Sequence, residues 1–140
     1  MGKLPKQILA EKENVEIVLK YLEIAMEREE KSVIELAAIA TFLHNIYNGI
    51  ENILKQVLLE RSIEIPQSDS WHKDLLNLSA SMGIISEKLS DELYAYLTFR
   101  HFFVHAYGFM LDEDELKDLA INIPGVWAEF LSGIEKYCGA

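Results

Sequence analysis

One cysteine, three prolines and seven glycines are all that 140 residues hold of these types. The lone Cys138 cannot close an internal disulfide, and a thiol so near the chain end is a poor candidate nucleophile. Gly and Pro are too scarce to punctuate the many turns of a β-sandwich or barrel. Basic residues are short as well: 13 Lys and Arg face 23 Asp and Glu, for a formal charge of −10. That balance excludes a protein that coats nucleic acid through a broad basic surface, while leaving room for a local phosphate site. The opening MGKLPKQILAEKENVE has no apolar run of the signal-peptide kind, and Lys6 stands where myristoylation needs Ser or Thr. The longest apolar stretch, Val33 to Leu43, is interrupted by Glu35 and is too short to cross a bilayer. The expectation is one soluble cytoplasmic domain over residues 1–140, with no membrane partner.

Half of the residues (50%) are hydrophobic and 26% are charged, enough for a packed core. Their spacing is helical almost throughout. From Pro5 to about Lys31 the apolar stripe is Ile8, Val15, Val18, Leu19, Leu22, Ala25 and Met26. Ser32-Val33-Ile34-Glu35 has capping-box spacing, and the helix it opens runs to about Arg61. Its expected buried face is Leu36, Ala40, Leu43, Tyr47, Ile50, Leu54, Val57 and Leu58. Glu64 to Ser70 reads as a loop around Pro66, followed by a short helix from Trp71 to about Ser81 that Gly83 ends. Ser86 or Ser90 caps the next helix, which runs through Tyr107 and stops at Gly108. A last helix starts at Asp112 to Glu115, with a kink or break expected at Pro124-Gly125. The fold class is all-α, an up-and-down bundle of about five helices with a short third.

Phe99-Arg100-His101-Phe102-Phe103-Val104-His105-Ala106-Tyr107 is the most informative segment. It is apolar on nearly every side of a helical wheel, which fits a helix covered by its own bundle and also by a partner. An Arg in such a segment is costly to bury unless an anion meets it. On an ideal helix Arg100 and Tyr107 lie about 20° apart, whereas His105 lies about 140° from Arg100. Either the helix is distorted here, or a second copy supplies part of the site. His101 and His105 share a face at i and i+4, a spacing that could hold a metal, but no third ligand is evident nearby.

The arrangement R-x4-H-x-Y resembles the signature of HepT-like toxins in the HEPN superfamily. There an Arg is followed by a polar residue, a few further residues and a His. Arg100, His101 and His105 fill those places, and Tyr107 adds the feature of the HepT branch. The resemblance extends over most of the chain, including the short helix opening Trp71-His72-Lys73-Asp74-Leu75-Leu76. It implies the toxin of a type VII (HEPN/MNT) toxin–antitoxin pair. That toxin would be a metal-independent endoribonuclease without a cofactor, a homodimer whose two motif copies face one cleft. The RNA 2′-OH would attack the adjacent phosphorus, so RNA and not DNA is the implied substrate. Arg100 would clamp the phosphate, His105 would transfer the proton, and His101 would orient or assist. The resemblance also implies a cognate minimal nucleotidyltransferase antitoxin (MntA-type) that places AMP on Tyr107, beside Arg100.

The same residues allow plainer roles. Arg100 could be an ion-pair member, with Glu51 or Asp91 as its partner. His44 and His72 read as structural histidines, and Trp71 and Trp127 as packing anchors. Phe99, Phe102, Phe103 and Tyr107 read as core or dimer interface rather than a base-stacking platform, and Asp112 to Glu115 as a solvated first turn. Two further function classes follow. One is a non-catalytic dimeric HEPN module that binds a nucleotide or a partner protein. The other is a pure interaction subunit in which Arg100 and His105 only hold the dimer.

Overall fold

The computed structural model describes residues 4–106 and 112–139, apart from the side chains of residues 105 and 106. The described chain is an all-α bundle: α1 (Lys6–Met26), α2 (Val33–Glu60), a short α3 (Trp71–Ser81), α4 (Glu87–Ala106) and α5 (Glu113–Gly139). Helix α2 is the axis of the bundle and packs against all four others. It is long and apolar enough to pass for a membrane span by length and composition. Its apolar residues are instead used on its neighbours, with Ile39, Leu43, Ile46, Ile50, Ile53, Leu54 and Leu58 all buried. The expected face is therefore right but too narrow, because helices cover α2 from several directions. At the α1 crossing the backbones come close. Gly49 is buried, and a Cβ there would run into the Val15 side chain.

Local chemistry sets most of the ends. Ser32 and Glu35 form the expected capping box, the Ser32 hydroxyl accepting from the Glu35 amide and the Glu35 carboxylate from the Ser32 amide. Ser86, not Ser90, caps α4: its hydroxyl accepts from the Leu89 amide, while Ser90 lies buried inside the helix. Helix α3 ends in a Schellman turn. Gly83 takes φ +76°, its amide donates to Ala80, and the Ile84 amide donates to Ser79. Helix α1 ends at Met26, and the charged run Glu27 to Lys31 frays beyond it as expected, since it offers no apolar face to bury.

The break expected at Pro124-Gly125 does not occur. Helix α5 is continuous from Glu113 to Gly139 with Pro124 inside it. A proline in a helix interior costs about 3 kcal/mol. Ile123, Val126, Trp127 and Phe130 flank it and are buried, each side chain contributing about 1.5–3 kcal/mol. Their sum exceeds the local penalty. Pro124 itself faces outward. Tyr96 ties α4 to α5 by donating its hydroxyl hydrogen to the Leu119 carbonyl at 2.8 Å.

Candidate functional site

Four polar side chains of α2 fall into one row. His44, Asn48, Glu51 and Lys55 follow one another at spacings of four, three and four, which places them on a single helix face. The first three meet groups of α4 and α3, and the row reaches Trp71 at its end.

Arg100, near the end of α4, is half-buried, and its Nε donates to Asn48 Oδ1 at 3.0 Å. The Asn48 amide in turn lies 3.1 Å from His44 Nε2. An amide N–H needs the ring's lone pair there, so the neutral His44 ring carries its proton on Nδ1. That nitrogen is buried, with no hydrogen-bond partner among the described residues. Burial first, and then the nearby Arg100 charge, hold the His44 pKa below its ordinary 6.5, against an opposing pull from Glu51. The ring also leans on Phe103, with centroids 5.4 Å apart.

Neither carboxylate that an ion-pair role for Arg100 would use is its partner. Glu51 is only 2% exposed and is committed to α3, where His72 Nδ1 lies 2.8 and 2.9 Å from its two oxygens. Asp91 is exposed in the first turns of α4, more than two turns before Arg100. Among the described residues, no carboxylate comes within ion-pair distance of Arg100. His72 is therefore paired, as a structural histidine would be. Its ring stacks on Trp71 at 3.6 Å, and the Lys55 ammonium sits 4.5 Å from the Trp71 ring centre. Tyr47, buried beside this group, has its phenol pushed upward, by burial first and by the Glu51 charge second.

His101 is exposed, on a different side of α4 from Arg100. His105 is part of α4, but its side chain lies outside the described residues, as does Tyr107 altogether. Along the same helix Phe102 is 40% and Val104 52% exposed. Among the described residues, nothing supplies the second covering expected of these two side chains.

A family model for HepT-like proteins matches residues 38–140, a span that holds all but the start of α2, together with α3, α4 and α5. The chain belongs to the HepT-like family. It is also similar to the solved structure of YutE from Bacillus subtilis, described as a cytosolic protein of unknown function. The two agree with a TM-score of 0.65 at 18% identity, over 90% of this chain and 89% of that one. Likeness at that identity speaks for a common fold. No curated protein matches the sequence. Within the HepT-like match, the polar residues that meet Arg100 and His72 all come from α2.

Proposed function

We propose that this HepT-like protein is a metal-independent endoribonuclease, the toxin of a toxin–antitoxin pair, acting in the cytoplasm as a homodimer. The observation that carries this reading is Arg100. Its guanidinium is half-buried, held through Nε by a neutral amide, and out of ion-pair reach of every described carboxylate. A positive group kept oriented and un-neutralised, in a chain of net charge −10, is suited to an anion such as a phosphodiester. In the reaction His105 takes the proton of the RNA 2′-OH. The 2′ oxygen bonds to phosphorus as the bond to the 5′ oxygen breaks, and an imidazolium returns a proton to that leaving oxygen. Arg100 holds the phosphoryl oxygens as charge builds on them. Because His105 lies about 140° around the helix from Arg100, two copies of α4 meeting at one cleft supply what a single copy does not. The exposed Phe102 and Val104 suit such a meeting. Control belongs to a nucleotidyltransferase antitoxin that places AMP on Tyr107, whose added phosphate competes for the Arg100 clamp.

The test is cleavage of single-stranded RNA in EDTA. Wild type should cut RNA and leave DNA intact, and Arg100→Ala and His105→Ala should each lose about 10²-fold or more in rate with helical content unchanged. Cleavage that EDTA abolishes and zinc restores would transfer the chemistry to a His101/His105 metal site. For control, co-expression with a cognate minimal nucleotidyltransferase should add whole adenylyl masses, which Tyr107→Phe removes. An inactive but unmodified toxin in that complex would mean inhibition by steric blocking.

A further inference from the structure

A cavity of about 320 Å³ opens between the start of α3 and the later turns of α4. Its wall on the α3 side includes His72 and Lys73, and on the α4 side Tyr94 and His101, which share a face at i and i+7. His101 directly follows Arg100 in the chain, so the cavity and the guanidinium occupy neighbouring faces of the same turn of α4.

Three features of this cavity point to one kind of ligand. The first is a held imidazole. Glu51, almost wholly buried, grips His72 Nδ1 with both carboxylate oxygens, and Trp71 stacks on the ring. With Nδ1–H committed to a carboxylate, Nε2 is the nitrogen left to serve a ligand. The second is a cation over an aromatic ring: the Lys73 ammonium lies 5.9 Å from the ring centre of Tyr94. The third is that ring itself, 44% exposed. A basic group, an oriented imidazole and a part-exposed aromatic ring correspond to the phosphate, sugar and base of one ribonucleotide. The volume is at the lower end of small-ligand sites, about 300–1,000 Å³, and suits one nucleotide rather than a duplex. Asp69 at the rim disfavours a free phosphate dianion relative to the singly charged phosphodiester of a strand.

We propose that this cavity is a subsite for the nucleotide adjoining the cleaved phosphodiester, with its base on Tyr94 and its backbone on His72 and Lys73. The subsite rests on the ribonuclease reading. It supplies a local grip on RNA that the net charge of the chain does not.

Binding is measured apart from cleavage, by fluorescence anisotropy of a short labelled single-stranded RNA on full-length His105→Ala protein. Added to that background, Tyr94→Ala should weaken binding about fivefold or more, whereas Tyr94→Phe, which keeps the stacking face, should stay within about twofold. His72→Gln should also weaken binding. Tyr94 is the decisive position, because its exposure lets Ala replace it without harm to the fold. In the cleaving parent, Tyr94→Ala and His72→Gln should raise KM and leave kcat unchanged. Unaltered Kd and KM in Tyr94→Ala overturn the subsite while cleavage stands. The expected binding pattern in a protein whose wild type cuts no RNA upholds the subsite and overturns the cleavage. No RNA binding at all overturns both.

Discussion

Substituting Asp for Asn48 keeps the shape of the side chain and the acceptor that holds Arg100 Nε at 3.0 Å, but places a full negative charge against the guanidinium. The amide that faces His44 Nε2 is lost at the same time. A neutral hydrogen bond contributes about 0.5–1.5 kcal/mol net, and one to a charged group about 1.5–3 kcal/mol. Losing the first while strengthening the second leaves Asn48→Asp within about 1 kcal/mol of wild type in urea denaturation. Asn48→Leu loses both bonds. With Arg100 half-exposed, water replaces part of the loss, and about 2 kcal/mol of destabilisation is expected. Activity should separate the two variants in the opposite sense to stability. In Asn48→Asp the guanidinium is already neutralised, and loss of one transition-state donor typically costs about 10²–10³ in rate. The assay is RNA cleavage at low salt, with the salt dependence of binding measured beside it. Asn48→Asp should be folded, stable and about 10²-fold slower, with a shallower salt slope because one cation no longer meets a phosphate. Wild-type cleavage by Asn48→Asp would refute the idea that the uncompensated charge of Arg100 holds the anion.

Gly49→Ala forces a methyl group into Val15 and should lower stability by about 1–3 kcal/mol, read as a shift of the urea midpoint at unchanged slope. Wild type should sediment as a dimer at micromolar concentration and Phe102→Glu as a monomer, since the charge would fall on the apolar face that the second copy needs; a monomeric wild type removes the dimer. The lowered pKa of His44 has a definite sign in stability. Below pH 6.5 the unfolded chain binds a proton there that the folded chain resists, so this contribution is full above pH 6.5 and is lost as pH falls below it. Denaturation from pH 7.5 to 5.5 should therefore show a smaller acid loss in His44→Asn than in wild type, and equal losses would mean that His44 does not titrate in this way.

The helices were legible because apolar residues at helical spacing leave few other ways to hide them, and because Ser32, Glu35 and Gly83 act through bonds spanning only a few residues. Pro124 was misread for the converse reason. Its local cost is visible in the sequence, but the buried neighbours that outweigh it become visible only once α5 is packed. The neighbour of Arg100 within its own chain was not legible. Charge complementarity names Glu51 and Asp91, whereas the face of α2 turned toward α4 selects Asn48. A signal was nevertheless present: His44, Asn48, Glu51 and Lys55 form a polar row beside the apolar face of α2. Such a row demands partners from other elements. Which partners they are depends on the placement of α3 and α4, and spacing does not carry that.

The bond between Asn48 and Nε of Arg100 also fixes a direction. A guanidinium offers paired donors along two edges: a side edge that includes Nε, and an end edge made by its two amino groups. With Nε engaged, the side edge is closed, and a two-point grip is possible only across the end. An incoming phosphodiester must then lie near the guanidinium plane, on the side pointing away from Asn48. That constraint is imposed by a residue 52 positions away in the sequence. A lysine at position 100 would carry the same charge but present no edge. Arg100→Lys would therefore keep a salt-sensitive attraction for RNA and lose its stereochemical demand.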